Sequence, residues 1–413
     1  MTSPSMTKKR HFFLILLLGS LTALGPFSID MYLPGFPAIA ADLHTTVAKV
    51  SLSLSGFFIG ISAGQLLYGP LLDRFGRKKP LYIGLTVYIL ASIGCAYAST
   101  INMLIILRCI QAIGSCAAAV ASIAMVRDLF PVSENAKVFA LLMLVVGVSP
   151  MIAPTVGGYV TTAFGWHSVF IVLMLLGVIN LLASIFGLPD SYKPDKSIFL
   201  KPRPILKNFL EVLTEPQFYT YALTGAVAFS GLFAYVAGSP LLFMDIFAVK
   251  EETYGWIFAF LSIGLIGSSQ VNTILLRKYS SEQLIFAALI CQGITGIVFL
   301  AGSFNGWWGL PETIFLLFVF LSCLGIASPN TSALSLAPFT KNAGSASALM
   351  GAIQMGLGTL ASIGVSMFDT RSSLPLVAIM ASTSLLALAI LYFGRKTIKT
   401  KVEAGKDGAV AFH

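Results

Sequence analysis

Apolar windows of about twenty residues recur twelve times along the chain, each closed by a short polar break. They fall near 12–39, 48–71, 80–99, 102–126, 137–161, 168–188, 217–240, 254–276, 283–303, 313–336, 344–367 and 374–393. At about 1.5 Å of rise per residue, each is long enough to cross a hydrocarbon layer of about 30 Å as a helix. The longest break, Pro189 to Pro216, holds Lys193, Lys196, Lys201, Arg203 and Lys207 and divides the windows six and six. The pattern predicts an all-α membrane protein of twelve transmembrane helices in two six-helix bundles related by a pseudo-two-fold axis. Residues 1–190 would form the first bundle, 191–216 a cytoplasmic linker, 217–394 the second bundle and 395–413 a cytoplasmic tail.

Composition agrees with this reading. The 413 residues are 56% hydrophobic and 10% charged, against roughly 25% charged in soluble domains. A net charge of +9 could point to nucleic acid. Here, however, the bases sit in short clusters between apolar runs, as positive-inside anchoring requires, and no nucleic-acid partner is expected. With the N-terminus inside, 22 Lys and Arg fall on that side, against Lys49, Lys250 and Arg371 outside, and Arg108 within a span. Both termini are therefore expected in the cytoplasm. Lys8-Lys9-Arg10 before an apolar run is like a signal peptide but lacks a small-x-small cleavage site, and reads as a retained first span. The five cysteines form no metal or disulfide pattern, and neither a metal nor any cofactor is expected.

Between the second and third windows, Gly69-Pro-Leu-Leu-Asp73-Arg74-Phe-Gly76-Arg77-Lys78-Lys79 compresses one acid, four bases and two glycines into eleven residues. It must be a tight polar hairpin, with Gly76 supplying the reversal because glycine accepts positive φ freely. Gly56, Gly60 and Gly64 form a close-packing stripe at four-residue spacing. The fifth window carries Gly147, Pro150, Pro154, Gly157 and Gly158, which predicts a kinked, closely packed helix able to bend.

A charge in lipid costs about 2.5–3.5 kcal/mol on insertion scales, so an ion there needs a reason. Asp30 is the one acid expected inside a span, roughly 12 Å from its outer end by helical rise. Arg108 lies at similar depth in the fourth span, with Gln111 and Ser115 following on one face. An Asp30–Arg108 pair is the cheapest expectation. It is either a proton-exchanging site or a fixed lock between two helices. Gly25-Pro26 and Pro34 flank Asp30 and interrupt backbone bonding there. The second half offers Gln270, Asn272, Gln292, Asn330 and Gln354, with Phe229, Phe233 and Tyr235 on the seventh span. Asp30, Tyr32, Arg108, Gln111, Phe233, Tyr235, Gln270, Asn330 and Gln354 are the candidate cavity residues. One acid among aromatic and amide walls suits lipophilic, neutral or cationic small molecules. Nothing resembles the paired acids, His cluster or Ser/Lys dyad of an intramembrane enzyme, and no loop is large enough for a receptor domain.

Together these features resemble the major facilitator superfamily, and within it the Bcr/CflA group of drug:proton antiporters. Gly69-x-x-x-Asp73-Arg74-x-Gly76-Arg77-Lys78 matches the superfamily signature after the second span. Arg108-x-x-Gln111-x-x-Gly114 is similar to its fourth-span motif, with Ala112 where glycine is usual. Pro150-x-x-x-Pro154-x-x-Gly157-Gly158 resembles the fifth-span antiporter motif. Asp30-Met31-Tyr32-Leu33-Pro34 and Val126-Arg127-Asp128-Leu129-Phe130 are like the subgroup, while Trp166-His167 departs from its usual Trp-Arg. The resemblance implies a monomeric exporter in a bacterial inner membrane, driven by the proton gradient. It also implies Asp30 as proton carboxylate, and Asp73, Arg77 and Asp128 as an inner latch.

Overall fold

The computed structural model describes residues 8–189, 192, 194, 209–339, 343–368 and 372–398. Bases expected in the central loop and most of those in the tail, with Lys341 and Arg371, lie outside the described residues. Among the described residues, twelve helical segments are long and apolar enough to cross a membrane, and the chain is a multi-pass membrane protein.

The first span is α1 (Lys8–Asp30) followed, through a short 3-10 turn, by α2 (Phe36–Asp42). The next five are α3 (Val47–Phe75), α4 (Lys78–Ala96), α5 (Ile101–Leu129), α6 (Val132–Phe164) and α7 (Trp166–Gly187). The second set is α8 (Pro216–Pro240), α9 (Glu251–Leu275), α10 (Ser281–Asn305), α11 (Leu310–Leu336), α12 (Ala343–Ser366) and α13 (Leu374–Gly394). Each set packs within itself, and the two bundles meet mainly along α3 with α12 and α6 with α9.

Sequence chemistry explains the boundaries. Thr46 and Thr100 cap α3 and α5 by accepting from Lys49 N at 3.3 Å and Met103 N at 3.2 Å. Ser280 and Gln283 form a reciprocal capping box on α10. Gly76 takes φ of 82° and reverses the chain between α3 and α4. The stripe Gly56, Gly60 and Gly64 faces α5, where Gly60 admits the Cys109 carbonyl and Ala112 so closely that a methyl group would collide with both.

Two spans differ from the expected bounds. The first breaks at Asp30 instead of running on, because Pro34 and Pro37 withhold the donors that would continue the helix. The seventh extends through a π-helical turn, Leu241–Ile246, where Pro240 withholds its own donor. That extension draws Asp245 into the end of the span. The fifth-span prolines, by contrast, stay inside one continuous helix, α6. For orientation, the end carrying the 71–79 hairpin is called the basic end, and the opposite one, carrying α2 and the start of α9, the far end.

Candidate functional site

Asp30 is the last residue of α1 and only 4% exposed. Ser28, two residues earlier, points about 200° away around the same helix. That angle decides the site. Ser28 Oγ meets Tyr88 Oη at 2.8 Å, and the Ser28 carbonyl accepts from Arg108 Nη2 at 2.6 Å. With Ser28 turned into the first bundle, Asp30 is turned away from it. Its carboxylate makes no hydrogen bond or ion pair among the described residues.

The expected Asp30–Arg108 pair is therefore not formed. Arg108 is fully buried and serves the first bundle instead. Its Nη1 donates to Gln111 Oε1 at 2.5 Å, and Gln111 Nε2 donates to Ser92 Oγ at 2.7 Å. The guanidinium carbon lies 4.1 Å from the Tyr32 ring centre, 4.2 Å from Phe57 and 5.7 Å from Phe170. Aromatic faces, an amide and a carbonyl thus replace a carboxylate counter-ion. Tyr32 Oη pairs with Ser53 Oγ at 3.2 Å. Arg108, Gln111 and Tyr32 are consequently fixtures that tie α1, α3, α4, α5 and α7 together. Arg108→Lys keeps the charge but loses the planar fork and ring stacking. It is expected to cost about 3 kcal/mol or more by leaving carbonyl and amide unpaired, read as a lowered midpoint of thermal unfolding in detergent.

Asp30 looks instead toward the second bundle. The turn that follows it, Leu33–Gly35, packs on α9 as well as on α6. Two buried phenols, Tyr235 on α8 and Tyr254 on α9, lie on that side within range of its charge. Tyr235 stacks on Phe258 with ring centres 5.4 Å apart, and its hydroxyl has no hydrogen-bond partner. Tyr254 Oη is bonded to Ser239 Oγ at 2.8 Å. Phe233 packs across the bundle interface against Phe58 at 4.5 Å and beside Phe229 at 5.5 Å.

The amides do not join this cluster. Asn330 is bound to Asn272, Nδ2 to Oδ1 at 2.7 Å, as a tie between α11 and α9. Gln354 lines a narrow cleft with Tyr221, Thr331 and Met350 among α8, α11 and α12. Gln270 is exposed, sixteen residues and roughly 24 Å of helix from Tyr254. Asn330, held by Asn272, and Gln270, far along α9, therefore stand apart from the Asp30 end of the interface. Sequence reasoning also missed Tyr254 and Ser239.

At the far end the bundles close on each other. A Cβ on Gly158 of α6 would stand 2.7 Å from the Glu251 carbonyl of α9, while Gly157 lies, within the first bundle, so near the Met31 carbonyl that no Cβ would fit. Pro154 and Gly255 meet beside them. Gly147 and Pro150, nearer the basic end, are only partly buried. On the other flank, Ser55 Oγ meets Ser362 Oγ at 2.7 Å and Ser51 Oγ meets Ser366 Oγ. These serines are spaced i, i+4 on antiparallel α3 and α12, an arrangement whose only signal in the sequence is that spacing.

At the basic end Arg77 joins three elements. Its Nη1 donates to Asp73 Oδ1 at 2.5 Å and its Nε to Asp128 Oδ2 at 2.7 Å. The Tyr192 ring lies 4.1 Å beneath the guanidinium. Burial alone would pull the Arg77 pKa down, but the Asp128 and Asp73 carboxylates outweigh it and hold it above its ordinary value. Gly76 rests against Pro194 and the Tyr192 carbonyl. Gly69 has open space beside it, Arg74 lies 5.6 Å from the Phe75 ring, and Lys78 opens α4.

Comparison with known proteins agrees with this architecture. Residues 18–365 match the family description Major Facilitator Superfamily. The chain is 33% identical to an uncharacterized MFS-type transporter, YdgK, of Bacillus subtilis, over 94% of this chain and 96% of that one. It is 30% identical to a bicyclomycin resistance protein homolog of Haemophilus influenzae, over 94% and 97%. Identity to the multidrug resistance protein MdtL of Escherichia coli is 27%, over 91% and 93%. Among solved structures, a bacterial homolog of the human lysosomal transporter Spinster superposes with a TM-score of 0.77 at 13% identity, covering 95% of this chain and 98% of that one. A D-xylose-proton symporter gives 0.75 at 13%, covering 97% and 99%. Two six-helix bundles meeting at a buried acid, with relatives that are transporters and not enzymes, make this chain a membrane transporter of the major facilitator superfamily.

Proposed function

We propose that the chain exports small lipophilic or cationic molecules across a bacterial inner membrane in exchange for protons. It would work as a monomer without a cofactor, with both termini in the cytoplasm. The observation that carries this reading is Asp30, buried without a partner at the bundle interface and facing the second bundle. An ionised carboxylate at membrane depth with no cation or donor in contact is expensive, and a protonated one far less so. A proton on Asp30 therefore favours the arrangement closed at the far end. Exchange follows if substrate takes the site only when the proton has left. The kinship with a bicyclomycin resistance homolog and with MdtL supports small toxic molecules as cargo.

In this reading the basic-end hairpin serves as an inner latch. Asp73, Arg77 and Asp128, with Gly69, Arg74, Gly76 and Lys78 shaping the turn, hold α3, α4 and α5 as one body while the bundles rock. Pro154 and Gly158 of the antiporter motif give α6 a flat face against α9, Gly157 seats α6 against the turn after α1, and Gly147 and Pro150 lie on the same helix toward the moving end.

The test is transport in inverted vesicles carrying an inward-acid proton gradient, challenged with lipophilic cations and neutral drugs chosen from a toxicity panel in an efflux-deficient host. Substrate addition is expected to dissipate the gradient. Proton-driven uptake in right-side-out vesicles, with no such dissipation, would overturn export.

A further inference from the structure

The proposed cycle leaves a difficulty at the step where the proton leaves. In the arrangement closed at the far end, Asp30 must ionise, yet no basic side chain touches it. Arg108 is bonded to the Ser28 carbonyl and Gln111 on the opposite side of α1. Tyr32 is bonded to Ser53 and lies under Arg108. α6 meets this turn with Gly157, which has no side chain to offer. What remains are the two phenols of the second bundle, and they are not equivalent. The Tyr254 hydroxyl is already paired with Ser239. The Tyr235 hydroxyl is buried and unpartnered, on a ring that stacks on Phe258 one turn along α9 from Tyr254, and the turn after Asp30 packs on that same helix. A buried hydroxyl left without a partner is costly, and such an orphan calls for an explanation.

We propose that Tyr235 is the positioning residue for proton release, its hydroxyl donating a hydrogen bond across the bundle interface to the Asp30 carboxylate once the proton has gone. The departing proton goes from Asp30 Oδ to water, the phenol keeps its own proton, and one O–H···O⁻ contact forms. Loss of the proton is thereby converted into a bond between α1 and α8, which lie in different bundles. Ionisation of Asp30 then acts directly on the surface along which the bundles move, and the charge is not passed through Arg108. Two orphan groups, the acid and the phenol, satisfy each other in the ionised state. The inference rests on Asp30 being the proton site.

The purified full chain permits a test that needs no substrate. The carboxylic C=O infrared band that is absent from Asp30→Asn is titrated with pH in the unaltered protein, in Tyr235→Phe and in Tyr254→Phe. Tyr235→Phe removes only the donor to the ionised form, so the half-loss of the band is expected at a pH higher by about one to two units. Tyr254→Phe is expected to move it much less. An unchanged midpoint in Tyr235→Phe, or equal shifts in both variants, overturns the role of Tyr235. If no band in the unaltered protein is lost in Asp30→Asn, or that band fails to titrate, the proton-site reading itself falls, whatever Tyr235 does.

Discussion

Asp30→Asn is expected to abolish proton-driven accumulation while leaving the protein folded and able to exchange substrate for substrate. The reason lies in what Asp30 does not touch. With no ion pair or hydrogen bond to lose, replacement by an amide of the same shape breaks no contact in the closed arrangement. The buried charge that ionisation would create is simply never created. One proton crossing 100 mV supplies about 2.3 kcal/mol, a ratio of about fifty between the two sides. In reconstituted vesicles that ratio should fall to about one in the variant, with counterflow retained. Undiminished proton-driven accumulation would remove Asp30 from the mechanism. Loss of counterflow together with a lowered unfolding midpoint would give it a structural role instead.

The fold was legible because a bilayer permits few solutions. Every backbone group must be satisfied within its own segment, so apolar length alone gives the spans, and Gly76 and the capping threonines place their ends. The site was legible only in part. Hydropathy reports depth, and Asp30 and Arg108 do share a similar depth. It does not report azimuth. One helix, α1, presents Ser28 to Arg108 and Asp30 to the opposite side, and no count of apolar residues distinguishes the two directions. The amides failed for a related reason. Asn330 reads as an unpaired polar group until the partner supplied by another helix, Asn272, is known. The phenols were half legible: Tyr235 stood out on an aromatic span, whereas Tyr254 near the start of α9 resembles an ordinary interfacial anchor. Arg77 and its two carboxylates lie close in sequence or in a short motif, and their chemistry was plain before their geometry.

A cross-link between Ser55→Cys and Ser362→Cys is expected to stop transport almost completely and reversibly. The serine pairs suit a seam that must open. Each hydroxyl carries one proton, so one of Ser51 and Ser366 donates across the seam while the other donates to its own helix, Ser51 to Ala48 O at 3.1 Å or Ser366 to Ser362 O at 2.8 Å. When α3 and α12 part, the Ser51 and Ser366 hydroxyls each have a carbonyl on their own helix to turn to, so separation orphans neither of that pair. Interhelical hydroxyl bonds in membranes are worth only about 0.6–2 kcal/mol each, which holds the seam without locking it. A disulfide replaces that weak tie with a covalent one. In a background lacking Cys95, Cys109, Cys116, Cys291 and Cys323, oxidation should leave about 5% of transport or less, on the order of a hundredfold slower opening for each 2.7 kcal/mol added to the barrier. Reduction should restore it. Ser51→Cys with Ser366→Cys should behave alike, since both pairs share one antiparallel register. Transport that persists at full rate with the cross-link quantitatively formed would mean that α3 and α12 do not separate at the far end, and access from that side would have to open between α6 and α9, where Gly158 lies against Glu251 and Pro154 against Gly255.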